Sequence, residues 1–228
     1  MESGFSRLLI ITKEHNQSAW QLGKSICDWC HGQGLEAEVM GNERRTKTLA
    51  LDPPHPDLIL VLGGDGTILS VARKLDLGRN VPLLGLNLGQ VGFLTELTPE
   101  GWQGELSRVL NGQYFLSPQV MLSYHLERGG GVAHSGRVIN DLVVGRAGLA
   151  RLVSLKLWCE GEELGDLRAD GVIVSTPIGS TAYVSAAGGS LLSPTLRAME
   201  VCPVSPFMSR FQPLVLSSEQ RVDIEIKD

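Results

Sequence analysis

The chain has 228 residues, of which 43% are hydrophobic and 20% are charged, and it carries a formal net charge of -5. This composition is typical of a globular protein with one large core or two modest ones, and the acidic balance argues against a broad basic surface that binds nucleic acid. The first apolar run, at residues 8–11, is too short for a signal peptide or a membrane span. We therefore expect a cytoplasmic protein that works on neither nucleic acid nor membranes.

The first hundred residues alternate between apolar strands and helices. The pattern predicts strands at residues 5–12, 35–40, 58–62 and 81–86, and helices at residues 17–31 and 68–75. Such alternation is typical of an α/β domain with a mostly parallel sheet, which we place at residues 1–100. Ligands of these sheets bind beyond the carboxyl ends of the strands.

The second half follows a different pattern, and we place a β-rich domain at residues 101–228. After a helix near residues 99–110, strands are predicted at residues 121–127, 137–144, 152–160, 172–175, 214–216 and 222–228. Short strands separated by turns are typical of antiparallel sheets. The fold class predicted for the whole chain is an α/β domain followed by an antiparallel β domain.

Two of the four cysteines lie in a C-x-x-C-H sequence, at Cys27 and Cys30. Covalent haem attachment would need export, and a zinc site would need a second pair of ligands at useful spacing. Cys30 instead shares a helical stripe with Ala19 and Ile26. We expect both thiols to be small residues facing the core.

Residues 61–70 read VLGGDGTILS, an apolar strand that ends abruptly in a glycine-rich turn around Asp65. The glycines let the backbone approach a bulky ligand, and an acid at this place could take a proton from a hydroxyl that attacks a phosphate. The phosphate ligands would be backbone N–H groups of the turn, those of Gly63, Gly64, Gly66 and Thr67. The turn predicts phosphoryl transfer, while a tight strand-to-helix turn with Asp65 as N-cap explains the same residues.

A second unusual feature is the polar pair Asn140 and Asp141 inside the apolar run 138–144. In a strand their side chains point to opposite faces, so at least one would face inward and need partners. An amide beside a carboxylate suits a purine edge or ribose hydroxyls, and a polar strand end at the surface is the alternative.

A third feature is the stretch 176–189, which is dense in Gly, Ser and Thr. Its backbone and hydroxyl donors suit a polyphosphate or a ribose better than an apolar ligand. A nucleophilic serine is the rival interpretation, but neither Ser180 nor Ser185 lies in a G-x-S-x-G sequence. A tightly packed crossover remains the structural alternative.

Taken in order, these motifs resemble the signature set of the NAD kinases. The matching sequences are GGDGT at residues 63–67, NLGxxGFL at 87–94, ND at 140–141 and DGxxxxTPxGSTAY at 170–183. The resemblance covers the chain from about residue 8 to its end. It implies that ATP phosphorylates the 2′-hydroxyl of the adenosine ribose of NAD to give NADP, with a divalent metal, Mg²⁺, and with metal ligands that the motifs do not identify.

The resemblance also implies roles for particular residues. Asp65 would be the general base, Phe93 would line the adenine pocket, and an arginine at position 168 is associated with preference for NAD over NADH. The loop 181–186 would close around NAD, in relatives often from a neighbouring subunit, so a homo-oligomer is expected. The implied NAD contacts are Asp65, Gly66, Phe93, Asn140, Asp141, Arg151, Arg168, Asp170, Thr181, Ala182, Tyr183, Ser185 and Ala186.

The chain departs from the family pattern at three places. Ile178 replaces a threonine, and residues 202–208 read CPVSPFM where the family has a Pro-His pair. The chain ends in a predicted strand where relatives continue, so we expect a C-terminally shortened member whose second domain is incomplete, with an unpaired sheet edge.

Two other functions stay open at this point. A lipid kinase of the diacylglycerol or sphingosine type shares the glycine-Asp turn, and a truncated, inactive relative would bind NAD without turnover. A dehydrogenase is disfavoured because no G-x-G-x-x-G follows the first strand.

Overall fold

The computed structural model describes residues 4–43, 49, 51, 53–75, 80–89, 92–146, 148, 151–208 and 211–227. The chain divides into two compact units, Met1–Leu116 and Ser117–Asp228. No helix in the part of the chain that is described has both the length and the apolar character needed to cross a membrane.

The first unit is built on a four-stranded parallel sheet. Its elements are β1 (Arg7–Lys13), α1 (Gln17–Gly32), β2 (Glu36–Asn42), β3 (Leu58–Leu62), α2 (Asp65–Lys74), β4 (Leu83–Leu86) and α3 (Trp102–Leu110). The strand order is β2-β1-β3-β4. Strands β1 and β3 are central and read as continuous apolar runs because both faces of the sheet are covered.

Alternate residues of the central strands feed two separate cores. Leu60 of β3 packs on one face with Ile26 of α1 and Leu106 of α3. Val61 packs on the other face with Val71 of α2. The side-chain period of two along each strand therefore places α1 and α3 on one face and α2 on the other.

Helix α1 carries the two cysteines of the C-x-x-C-H sequence. The side chain of Asn16 caps its start by accepting from the Ala19 N–H at 2.9 Å. Cys30 is fully buried, and burial raises the pKa of its thiol to about 11. The Cys27 thiol donates to the Ala37 carbonyl at 3.2 Å. The expectation that both are packing residues is confirmed.

The second unit consists of antiparallel strands. Its elements are β5 (Leu122–Arg128), β6 (Gly131–Val138), β7 (Asp141–Gly145), β8 (Val153–Cys159), β9 (Glu162–Ala169), β10 (Gly171–Ser175), a 3₁₀ turn (Ile178–Thr181), α4 (Tyr183–Ala186), β11 (Ala198–Val204), β12 (Leu214–Ser217) and β13 (Val222–Ile226). The sheets are β12-β11-β10-β7, β13-β8-β9 and the hairpin β5-β6. One core joins the first two sheets, with Leu155 and Leu167 packed against Val172 and Val201. The predicted fold class is confirmed.

Some predicted elements differ from the observed ones. Helix α2 begins at Asp65, three residues before its predicted start at residue 68. The predicted strand 137–144 is wrong, because the chain bends at residues 139–140 and divides it between β6 and β7. Strands β9 and β11 were not predicted at all, since the first is rich in charged residues. Helix α3 packs through Trp102 and Leu106 into the core of the first unit, which extends past residue 100.

Candidate functional site

The glycine-rich turn connects β3 to the start of α2. Gly64 is the N-cap of α2 and makes no side-chain cap bond, while Asp65 is the first helical residue. An added Cβ on Gly63 would lie 2.7 Å from the Cβ of Thr67, so the turn closes only with glycine at this position. The alternative that Asp65 serves as the N-cap is wrong, since its carboxylate has other partners.

The Asp65 carboxylate is held by the loop that follows β4. Its Oδ2 accepts from the Phe93 N–H at 2.9 Å, and its Oδ1 accepts from the Leu94 N–H at 3.1 Å. The Phe93 ring is 82% exposed. Two of the sequence motifs, 63–67 and 87–94, therefore meet at this carboxylate.

A cavity of about 880 Å³ opens in the first unit at the carboxyl ends of its strands. It is lined by residues from the ends of β1 and β2, from the glycine turn and from α2, namely Lys13, Glu14, His15, Asn42, Glu43, Gly64, Gly66, Thr67 and Ser70. This volume lies in the range of sites for small molecules and cofactors, which spans about 300–1,000 Å³. Of the four predicted phosphate ligands, Gly64, Gly66 and Thr67 line this cavity, and Gly63 does not.

The last turn of α2 fixes the end of β2 beside this cavity. Lys74 is buried, and its Nζ donates to Asn42 Oδ1 at 2.5 Å and to the Glu43 carbonyl at 2.6 Å. Burial lowers the pKa of Lys74. Sequence reasoning missed the cavity residues Lys13, Asn42 and Glu43, although their place directly at the carboxyl ends of two strands was a signal that could have found them.

In the second unit, the turn after β10 holds the bend that precedes β7. The Asn140 carbonyl accepts from the Thr176 N–H at 2.8 Å and from Ser175 Oγ at 3.2 Å. The buried Thr176 hydroxyl donates to the Ile139 carbonyl and accepts from the Gly179 N–H at 3.1 Å. The structure thus brings the motifs 140–141 and 176–183 together.

The side chains of the polar pair differ in their hydrogen-bond partners. Asn140 Oδ1 is buried and has no hydrogen-bond partner among the described residues. Burial raises the pKa of Asp141, and a hydrogen bond from the Tyr183 backbone N–H opposes part of that rise. A buried acceptor without a partner is costly, so Asn140 Oδ1 is suited to receive a donor from a bound molecule.

The remaining predicted contacts lie at the surface of the second unit. Arg146 Nη1 lies 3.3 Å from Asp170 Oδ1, and the Arg146 N–H donates to the Asp170 carbonyl at 3.1 Å. Ala182 is half-buried. The residues whose side chains are exposed are Arg151, Arg168, Thr181, Tyr183, Ser185 and Ala186.

Sequence reasoning also missed a buried acid, Glu200 of β11. It is fully buried, and its Oε1 accepts from the Ser190 N–H at 2.8 Å, while Oε2 has no partner in the described part of the chain. Ser180 Oγ binds the same segment through the Leu192 N–H at 3.0 Å. Glu200 and Ser180 together fix residues 190–192 beside the 176–183 turn.

Comparison with known families gives one consistent result. The sequence model of the ATP-NAD kinase N-terminal domain matches residues 9–114, and that of the ATP-NAD kinase C-terminal domain matches residues 139–228. The chain is 44% identical over 228 residues to an NAD kinase of Nitratidesulfovibrio vulgaris strain Miyazaki F, covering 100% of this chain and 80% of that protein. It is 40% identical over 226 residues to an NAD kinase of Oleidesulfovibrio alaskensis, covering 99% and 77%.

Two solved structures resemble the fold. Yeast NADH kinase complexed with NADH matches with a TM-score of 0.83 and 25% identity, covering 99% of this chain and 73% of that one. An NAD kinase from Archaeoglobus fulgidus in complex with ATP matches with a TM-score of 0.75 and 26% identity, covering 96% and 80%.

Proposed function

This chain belongs to the ATP-NAD kinase family and phosphorylates the 2′-hydroxyl of the adenosine ribose of NAD with ATP to give NADP, and we propose how its residues divide that work. The matches support neither a lipid kinase nor an inactive NAD-binding relative. The observation that carries the proposal is the Asp65 carboxylate, which two backbone N–H groups hold at the glycine-rich start of α2. Phosphoryl transfer is mostly positioning and electrostatic stabilisation, so few reactive side chains are needed.

Asp65 is the general base in this proposal. The two backbone N–H groups of Phe93 and Leu94 fix the carboxylate while leaving each oxygen a further lone pair. Such a lone pair can accept the proton that the 2′-hydroxyl loses as it attacks the γ-phosphorus of ATP. A positioned base contributes about 10²–10⁴-fold to the rate.

ATP occupies the cavity of the first unit in this proposal. The glycine-rich start of α2 and its positive end favour the phosphates of ATP. The N–H groups of Gly63 and Thr67 are not the phosphate donors that the sequence predicts, because they donate to the Leu86 carbonyl at 2.9 Å and the Gly64 carbonyl at 2.8 Å. Lys13 is the one lysine or arginine among the described residues that line the cavity, so its ammonium group supplies the cationic contact to the triphosphate. Gly64, Gly66 and Thr67 line the cavity and remain the proposed phosphate contacts, with Thr67 acting through its hydroxyl. Gly63 does not line the cavity, and its part is to let the turn close under Thr67.

Mg²⁺ would enter with ATP. No three His, Cys, Asp or Glu side chains within the described ranges form a metal cluster. The cavity instead offers oxygen atoms from Glu14, Glu43, Thr67 and Ser70, which suit Mg²⁺ that is bound chiefly by phosphates and water. When bound, the ion neutralises charge on the β- and γ-phosphates.

The second unit binds NAD in this proposal. The unpartnered Asn140 Oδ1 accepts from an N–H or O–H group of NAD, and Asp141 accepts from a neighbouring hydroxyl. Arg168 and Asp170 contribute the charged contacts, with Asp170 oriented by Arg146. The exposed surface of the 181–186 loop supplies further contacts, namely Thr181, Ala182, Tyr183, Ser185 and Ala186, and Arg151 adds a more peripheral one.

The other proposed NAD contacts, Gly66 and Phe93, belong to the first unit. The Phe93 ring is 82% exposed and so has apolar surface to offer an adenine base. Gly66 has nothing within 4 Å of an added Cβ, so its backbone can be approached closely by a nucleotide.

We extend the proposal to assembly and location. A homo-oligomer would let the 181–186 loop of one subunit serve another, as the family resemblance suggests. The four cysteines are free thiols, which favours a reducing cytoplasm. The functional division between a nucleotide-phosphate domain near residues 1–100 and an NAD-binding domain over the remainder stays a prediction.

The reaction is tested most specifically by its regiochemistry. With ATP and Mg²⁺, the protein should convert NAD to NADP, detected with an NADP-specific dehydrogenase. An NAD analogue that carries 2′-deoxyadenosine should give no phosphorylated product and should inhibit the conversion of NAD. Phosphorylation of the deoxy analogue, or the absence of NADP, would overturn the proposal.

A further inference from the structure

The chain after β4 returns tightly over the start of α2, and glycine permits this path. The Gly85 carbonyl accepts from the N–H groups of Glu96 at 3.1 Å and Leu97 at 3.0 Å. An added Cβ on Gly85 would lie 2.8 Å from the Leu94 carbonyl oxygen and would overlap Ile68 of α2. The return path is therefore fixed against the same helix whose first residue is Asp65.

A second glycine on this path faces the Asp65 carboxylate directly. An added Cβ on Gly92 would overlap Asp65 Oδ1 and lie 2.7 Å from Asp65 Cγ. The φ angle of Gly92 lies outside the left-handed region, so an alanine backbone would be unstrained here. Space for the carboxylate, rather than backbone conformation, requires glycine at residue 92.

The next two residues provide the hydrogen-bond donors that hold the Asp65 carboxylate. Phe93 and Leu94 donate their N–H groups to its two oxygens, and the Gly92 N–H donates to Thr95 Oγ1 at 3.4 Å. Gly92 thus sets how closely the carboxylate approaches the two donors, and Thr95 fixes Gly92.

We propose that Gly92 is a positioning residue that fixes the Asp65 carboxylate for proton abstraction, an inference that rests on the proposed role of Asp65 as the base. A methyl group at residue 92 would push Cγ from 2.7 Å toward the 3.4 Å at which contact becomes ordinary. This displacement would pull the carboxylate off its two N–H donors and away from the attacking hydroxyl. A misplacement of about 1 Å can reduce a rate by about 10²-fold.

A double-mutant cycle tests this inference. Gly92→Ala should lower kcat by about 10- to 100-fold and change each KM for ATP and NAD by less than about threefold. In an Asp65→Asn background, adding Gly92→Ala should change kcat by less than about twofold, because no base remains to be displaced. Gly104→Ala, a helical glycine with nothing within 4 Å of an added Cβ, controls for the generic substitution and should keep wild-type kcat.

A milder variant covers the case in which Gly92→Ala fails to fold, as judged by thermal melting. Thr95→Val removes the acceptor of the Gly92 N–H without adding bulk. It should lower kcat by about two- to fivefold, and this loss should vanish in the Asp65→Asn background.

The outcomes distinguish a failure of the base assignment of Asp65 from a failure of the positioning role of Gly92. Full kcat in Asp65→Asn would refute the base assignment and, with it, this inference. A low kcat in Asp65→Asn together with wild-type kcat in Gly92→Ala would overturn the positioning role alone. Equal fold losses from Gly92→Ala in both backgrounds would also overturn it, since Gly92 would then act independently of Asp65.

Discussion

Thr176→Val should destabilise the second unit and loosen the bend that carries Asn140. The buried Thr176 hydroxyl donates to the Ile139 carbonyl and accepts from the Gly179 N–H at 3.1 Å. Valine has nearly the same shape but can do neither, so two buried polar groups lose their partner. Each unsatisfied buried group costs about 1–3 kcal/mol, so the free energy of unfolding should fall by about 2–6 kcal/mol.

This loss is large against a domain stability of about 5–15 kcal/mol. For a unit of this size, about 1 kcal/mol shifts the melting temperature by roughly 4–8 °C, so a decrease of at least about 8 °C is expected. Differential scanning calorimetry should show the change in one of two transitions if the units melt separately. The KM for NAD should rise as well, because release of the neighbouring Ile139 carbonyl loosens the bend that carries Asn140.

Thr195→Val is the matched control for this prediction. Thr195 is exposed, and its hydroxyl lies 3.0 Å from the exposed Ser193 hydroxyl. The change should stay within about 0.5 kcal/mol. A Thr176→Val protein that melts within about 2 °C of the wild type, or a control that loses as much, would refute the reasoning.

Three further predictions concern the proposed substrate contacts. Burial raises the pKa of Asp141, so the folded protein binds this proton more tightly than the unfolded chain does. The resulting stabilisation is fully present below the ordinary pKa of an aspartate and is lost as pH rises through the raised pKa of the folded state. In melting curves recorded against pH, Asp141→Asn should therefore gain stability relative to the wild type across that window, and steady-state kinetics should give a higher KM for NAD. Lys13→Met should raise the KM for ATP by about tenfold, the loss of one charged hydrogen bond, and leave the KM for NAD unchanged. Phe93→Ala should raise the KM for NAD without lowering the melting temperature, because the ring is 82% exposed.

The parts of the fold that depend on local patterns were predictable from the sequence. The apolar runs of β1 and β3 and the amphipathic stripe of α1 lie within a few residues of their predicted bounds. The sharp end of β3 in glycine correctly indicated a turn into a helix. These elements are fixed by burial with a regular period, which a single sequence displays.

The parts that depend on distant contacts were not predictable. The bend at residues 139–140 is made by Ser175 and Thr176, which lie more than thirty residues away in sequence and bind its two carbonyls. The apolar run 138–144 alone favours one continuous strand. Glu200 is an acidic residue that is fully buried, and its partner, the Ser190 N–H, becomes its neighbour only in the folded chain.

In the candidate site too, the local motif was predictable and the contacts between distant residues were not. The motif 63–67 indicated phosphate chemistry because its glycines and acid occupy a strand end. The sequence could not show that Asp65 is bound by Phe93 and Leu94, since that contact depends on the path of the chain after β4. The cavity residues Lys13, Asn42 and Glu43 carry no motif and come together only when the parallel strands align.

The most direct test of the central claim is the kcat of Asp65→Asn for NADP formation at saturating ATP and NAD. The asparagine keeps the size of the side chain and removes the proton acceptor. We expect a kcat lower by about 10²–10⁴-fold. The melting temperature should fall as well, because the asparagine Nδ2 cannot accept from one of the Phe93 and Leu94 N–H groups. A variant that forms NADP at the wild-type rate would contradict the assignment of Asp65 as the base.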